Sequence, residues 1–216
     1  MLVDVLSFTT AVELAVARGA RVYPYRVRDH TATTFAMQLD AELAVDRRQV
    51  SPENPYSLSP RSLTALPPGS RLVLPSLNGA TLTLFAAESQ RMVLAGCLRN
   101  ASAVAAAAQR SGGPVAVIAA GELRRDGALR FAVEDLIGAG AILRHFERDA
   151  RSPEADAAVA AFEDACFDLE RRLRHSGSGR ELEAMGADDD VVLAAEVDVS
   201  QTVPVFQEGA YARLAD

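Results

Sequence analysis

The chain has 216 residues, 49% of them apolar, a net charge of −7 and a mean hydropathy near zero. That length suits one domain or two small lobes on a shared core, and no uncharged apolar run approaches the ~20 residues of a membrane-spanning helix. Every basic residue is arginine, which argues against Schiff-base and P-loop chemistry, and the acidic balance argues against nucleic acid as a partner.

An anionic ligand must therefore be held by arginine, by backbone N–H groups or by a metal. Cys97 and Cys166 lie apart without metal-ligand spacing and read as free thiols of a reducing compartment. Residues 1–4 carry no basic stretch ahead of an apolar one, so no secretory leader and a cytoplasmic location are expected.

The chain alternates strand-like and helix-like segments, which predicts an α/β fold with a mainly parallel or mixed sheet. Residues 2–6 form a short apolar strand interrupted by Asp4, and Thr9 and Thr10 open a helix that stops at Gly19. A strand over 20–25, a helix over 31–45 and a long Pro/Ser/Asn-rich stretch to Gly69 follow. A strand over 71–74 leads through the turn 75–79 to a helix over 81–88, and 91–96 is the next strand. Asn100 caps an Ala-rich helix over 101–110, which the Ser111-Gly112-Gly113 breaker ends.

Residues 114–120 make a β-branched strand, 121–127 a polar loop and 131–146 a helix despite Gly138 and Gly140. Long and short helices are expected over 152–175 and 179–185, then closing strands over 190–197 and 202–206. With no internal repeat, one domain over 1–216 is the simplest organisation, and the amphipathic 152–175 segment suggests a homodimer. A functional strand two residues from Met1 is unusual and suggests that an upstream edge strand is absent.

Open α/β sheets form their crevices at the carboxyl ends of strands, and the polar residues of interest cluster there. Asp4 sits inside an apolar strand, where a carboxylate is costly unless it binds a cation or accepts strong hydrogen bonds. Ser7, Thr9 and Thr10 follow it at a helix start, where backbone N–H groups attract anions. Leu6, two residues after Asp4, excludes the haloacid-dehalogenase pattern of paired aspartates. Asn78-Gly79 gives a turn whose amides can approach a ligand, with a plain tight turn as the alternative.

Arg99 could grip a carboxylate or phosphate bidentately beside Asn100, although Asn100 is a good cap whatever the function. Glu134 and Asp135 point about 100° apart on a helix, so one of them should face a crevice in this apolar segment. Paired carboxylates suit Mg²⁺, although an acidic pair also simply favours a helix start. His30, His145 and His175 offer no metal triad and read as surface residues.

The stretches "DVLSFTTA", "SLNGAT", "GCLRNASAVA" and "FAVEDLIGAGAI", in this order, together with the closing "EVDVSQTVPVFQEG", resemble the 2-phosphosulfolactate phosphatase family. Its members carry D-V-L-R-A-T-T, T-N-G-T, G-x-x-x-N-A-x-x-x-A and A-x-E-D-x-x-G-A-G segments. The resemblance implies a three-layer α/β/α fold and Mg²⁺-dependent hydrolysis of 2-phospho-3-sulfolactate, a small acidic phosphate ester, to sulfolactate and phosphate on the way to coenzyme M. It also implies a site lined by Asp4, Asn78, Glu134 and Asp135.

The chain departs from that pattern at Ser7, where the family has arginine, and at Leu58, where asparagine is expected, while Asp46-Arg47 stands for Glu-Arg. Losing a bidentate arginine removes an interaction of about 1.5–3 kcal/mol. The expected scheme places Mg²⁺ on Asp4 with Glu134 or Asp135 and makes one carboxylate of the pair the general base. Arg47 and Arg99 neutralise phosphoryl oxygens, and Asn78 and the Gly79 amide donate hydrogen bonds. The alternative is an inactive relative that binds a small anionic metabolite through the same crevice. The absence of G-x-G-x-x-G or P-loop spacing speaks against a nucleotide-binding protein.

Overall fold

The structure, a computed structural model, describes residues 1–124 and 126–215. Its elements run β1 (Leu2–Val3), α1 (Phe8–Ala17), β2 (Arg21–Tyr25), α2 (His30–Leu39), β3 (Glu42–Leu43), α3 (Pro60–Leu63), β4 (Arg71–Pro75), α4 (Gly79–Ala87), β5 (Val93–Gly96) and α5 (Ala101–Arg110). They continue with β6 (Ile118–Ala119), β7 (Glu122–Leu123), β8 (Leu129–Arg130), α6 (Val133–Leu143), α7 (Pro153–Ala165), α8 (Leu169–His175), α9 (Gly177–Ala184), α10 (Asp188–Ala194), β9 (Pro204–Gln207) and β10 (Ala210–Arg213).

Eight strands form one mixed sheet in the order β3-β4-β2-β10-β9-β5-β1-β6. The triads β5-β1-β6 and β3-β4-β2 are parallel within themselves, and the antiparallel β9–β10 hairpin joins them. β1 is an interior strand, paired with β5 through Leu2–Ala95 and with β6 through Leu2–Ile118.

Successive strand residues enter opposite cores, as the pleat requires. Leu2, Val22, Leu72 and Tyr211 pack with Phe8, Val12 and Val16 of α1, while Val3, Val5 and Leu94 pack with Val104 of α5 and Ile142 of α6. Tyr23 and Val73 join Ala36 of α2 in a third cluster. Helices thus cover both faces, and the fold is the expected three-layer α/β/α.

Several boundaries differ from the sequence expectation for local reasons. α2 stops at Leu39 because Asp40 turns into the left-handed region at φ 48°, releasing the chain into β3. The long 152–175 helix is two helices, α7 and α8, and the apolar stripe of α7 (Ala158, Val159, Phe162, Ala165) is buried within the fold. Residues 190–197 were expected as a strand but lie mostly in α10, whose first turn holds Asp188, Asp189 and Asp190, favourable charges at a helix N-terminus. The polar loop after Gly121 contains the small β7–β8 ribbon, and β10 had no sequence signal.

Two glycines set the distances that matter for the site. A Cβ at Gly138 would lie 2.5 Å from Val5, so α6 reaches β1 only because residue 138 has none. A Cβ at Gly79 would lie 2.2 Å from the Phe8 ring, so the first turn of α4 also needs glycine to approach α1. Gly79→Ala is expected to lower stability by about 1–3 kcal/mol through overpacking, measured by urea unfolding, and to reduce turnover with it.

Candidate active site

A cavity of about 460 Å³ opens where the segments after β1, β2 and β4 meet the wall formed by α9. Asp4, Ser7, Arg28, Arg47, Asn78 and Glu122 line it, with Ser178 and Glu181 on the far side.

Asp4 lies at the cavity floor, 8% exposed. Its Oδ1 accepts the Phe8 N–H at the start of α1 (3.1 Å), and the Gly79 amide at the start of α4 also points to the carboxylate. Thr9 fixes the Asp4 backbone, its hydroxyl donating to the Asp4 carbonyl (2.8 Å) and accepting from the Asp4 N–H (2.9 Å). Thr10 donates to the Val5 carbonyl at 2.8 Å. Both threonines are fully buried and position the strand end rather than line the cavity.

Asp135 lies behind Asp4. Its Oδ1 accepts the Val5 N–H (2.7 Å) and its Oδ2 the Gly121 N–H (3.0 Å), so one carboxylate ties β1 to the segment that carries Glu122. Glu134 is 2% exposed, and its Oε2 is buried without a hydrogen-bond partner. Four carboxylates from distant positions thus gather at one strand end. Burial pushes the Asp4 carboxyl up to about 7, the charges of Glu122 and Glu134 adding to it and the Phe8 and Gly79 amides opposing. Burial, then the charge of Asp4, raises Asp135 well above the ordinary carboxylate range. Glu122 is raised too, chiefly by burial, while a hydrogen bond from Asn78 opposes.

Among the described residues, no three of these side chains already surround a metal position. Mg²⁺ asks for less, since it keeps several waters and takes one or two carboxylates plus phosphate oxygens. A protonation-prone Asp4 together with an orphaned Glu134 Oε2 fits a dication, which would satisfy both.

The predicted residues divide clearly. Asp4, Ser7, Arg47 and Asn78 come together at the cavity, with Gly79, Glu134 and Asp135 immediately behind. A guanidinium reaches Ser7 from another element: Arg47 donates to its Oγ at 3.0 Å and to the buried Asp190 at 3.2 Å. Asn78 accepts the Leu123 N–H at 3.0 Å through Oδ1, bracing the β7 end rather than pointing freely at a ligand.

Arg99 and Asn100, by contrast, are not brought to the cavity. Arg99 donates to Glu13 at 2.7 Å and is also paired with Glu196. Asn100 is fully buried, accepting from the Cys97 N–H (2.9 Å) and donating to the Thr202 carbonyl (2.9 Å). Arg99 is spent on an internal ion pair, and Asn100 stands at the start of α5 without capping it through its side chain, which ties Cys97 to Thr202 instead.

Sequence reasoning missed Arg28, Glu122, Ser178 and Glu181. Glu122 had a usable signal, an acid just after the strand 114–120, at a carboxyl end like the others. The α9 residues had none, because only tertiary folding carries that helix over the cavity.

A mixed three-layer fold with acids and arginines in a crevice at its strand ends is the architecture of an α/β protein that takes a small ligand there. The sequence model of the 2-phosphosulpholactate phosphatase family matches residues 1–209, so the chain belongs to that family of phosphoric monoester hydrolases. The 2-phosphosulfolactate phosphatase of Methanothermobacter thermautotrophicus is 35% identical over 141 residues, 65% of this chain and 58% of that protein. The probable 2-phosphosulfolactate phosphatase of Carboxydothermus hydrogenoformans is 30% identical over 97% of this chain and 87% of its own length. That of Caldanaerobacter subterraneus subsp. tengcongensis is 27% identical over 97% of this chain and 88% of its own.

Proposed function

We propose that this chain hydrolyses the phosphate monoester of a small 2-hydroxy acid, 2-phospho-3-sulfolactate by family membership, with Mg²⁺ at Asp4. Asp4 and Glu122 in the cavity lining, with Glu134 and Asp135 close enough behind Asp4 to raise its pKa or share its rise, and Arg47 in the same lining, carry the proposal. This arrangement also supports catalysis over a binding-only role, because a pure anion receptor gains nothing from acids such as Asp4 and Glu122 in its lining.

Asp4 and Glu134 would hold the metal, and Asp135 would keep Asp4 and Glu122 in place through the Val5 and Gly121 amides. When bound, Mg²⁺ would neutralise phosphoryl oxygens and hold the ester against the strand end. Arg47 supplies a fixed positive charge at Ser7. Glu122, which lines the cavity where Glu134 and Asp135 do not, would take a proton from the attacking water in place of the 134–135 pair. As the water oxygen bonds to phosphorus, the ester P–O bond breaks, and the alcohol oxygen leaves and takes a proton from solvent, to which Glu122 later returns its own.

Inorganic phosphate release from 2-phospho-3-sulfolactate tests the reading. The expected result is release with Mg²⁺ that EDTA suppresses. Folded protein releasing none, with or without the metal, would overturn it.

A further inference from the structure

The segment that leaves β2 brings two arginines, Arg26 and Arg28, to the cavity that Arg47 also lines. The three differ in how firmly they are held. The Arg47 side chain is 20% exposed and pinned between Ser7 and Asp190. Arg26 is half-exposed, and its ion pair with Glu88 spans 3.7 Å, beyond hydrogen-bond reach. Arg28 is 39% exposed and fixed by two contacts, Nη1 donating to Asp46 at 3.0 Å and Nη2 to the Pro75 carbonyl at 3.4 Å. Those partners lie on two cavity segments: Pro75 leads into Ser76, and Asp46 immediately precedes Arg47.

A guanidinium carries five N–H donors, so these two contacts leave Arg28 with donors for a ligand. Its partly exposed pair with Asp46 is weak enough to share the cation with an arriving anion. Arg28 is also better prepared than Arg26, because a side chain already held in place loses less freedom on binding.

The charge of the ligand calls for such a group. A phosphate monoester carries about −1.5 to −2 at neutral pH, and 2-phospho-3-sulfolactate adds a carboxylate and a sulfonate. Mg²⁺ would answer the phosphoryl charge and Arg47 one acid group. The other acid needs its own cation, the more so because Glu122 and Glu181 share the lining. The sulfonate stands one bond farther from phosphorus than the carboxylate, and Arg28 is the more exposed of the two firmly held arginines.

We infer that Arg28 selects for a second acid group on the substrate, receiving the sulfonate while Arg47 meets the carboxylate. This rests on the phosphatase reading and assigns the specificity of the same site. An ester without the second acid gains little from Arg28.

The test compares 2-phospho-3-sulfolactate with 2-phospholactate, in which a methyl group replaces the sulfomethyl, on wild type, Arg28→Gln, Arg28→Lys and Arg26→Gln. Phosphate release and calorimetric binding are both read with Mg²⁺, and urea unfolding checks that each variant is folded. Arg28→Gln is expected to lower the kcat/KM ratio of the sulfonate ester to the methyl ester by about tenfold or more, mainly through KM. Arg28→Lys should lower it less, because the charge stays while the planar fork is lost, and Arg26→Gln should lower it by about twofold or less. Equal losses on both esters in Arg28→Gln, or a larger selective loss in Arg26→Gln, would overturn the inference while the phosphatase reading stands. If wild type hydrolyses neither ester but binds the sulfonate ester more tightly, and Arg28→Gln removes that preference, the inference holds and the phosphatase reading fails.

Discussion

Replacing Asp4 by asparagine is expected to abolish hydrolysis while making the metal-free protein more stable above neutral pH. The loss of turnover should reach roughly 10³-fold or more, the scale seen when a group acting on the transition state is removed. The stability gain follows from the raised pKa. In the unfolded chain the Asp4 carboxyl ionises near its model value of 3.8, whereas in the fold it holds its proton to about 7. Between those values the native state binds the extra proton, so stability falls as pH rises through the window and stays low above it. An amide cannot ionise and escapes that loss. Wild type and variant should therefore nearly coincide close to pH 4 and diverge by about 2–4 kcal/mol at pH 8. Urea unfolding in EDTA at the two pH values, paired with phosphate release in Mg²⁺, reads both halves. Equal stability at pH 8 would mean that the carboxylate is not under the strain its burial implies.

The second large effect concerns Arg47. Its guanidinium joins Ser7 Oγ at the cavity to Asp190, whose side chain is fully buried and also accepts the Arg61 N–H at 3.0 Å and a hydrogen bond from Ser59. Arg47→Ala leaves that carboxylate buried without a counter-charge, a loss of about 3 kcal/mol or more. The same substitution removes the cation beside the substrate. The double variant Arg47→Ala/Asp190→Asn separates the two consequences: stability should largely return, because no buried charge is left unpaired, while kcat/KM stays depressed. Recovery of both together would make Arg47 a structural residue only.

Much of this arrangement is legible in the sequence because it is built from local signals. Asp4 stands out as one acid in an apolar strand. Asn78-Gly79 reads as a turn, and Glu134-Asp135 opens a helix whose two glycines the structure explains by close packing against Val5 and α7. What is not legible depends on partners far along the chain. Arg99 looks free to bind an anion until Glu13, 86 residues earlier, is found to hold it. Arg47 reaches Ser7 across 40 residues, so the substitution of arginine at that position looked like a loss of charge when a guanidinium arrives from elsewhere. The α10 segment reads as a strand from its Val-Val-Leu core, but three aspartates before it decide for a helix start. Glu122 follows the same strand-end logic as Asp4 and was hidden only by its polar loop setting.

The account rests on a dication meeting the Asp4 carboxylate at the floor of the cavity. Calorimetric titration of Mg²⁺ into the metal-free protein near pH 6.5, in two buffers of different ionisation enthalpy, tests this most directly. Binding should expel a proton, because Asp4 is still partly protonated there. Both binding and proton release should vanish in the Asp4→Asn variant. Mg²⁺ binding of unchanged strength in that variant, or hydrolysis that proceeds undiminished in EDTA, would contradict it.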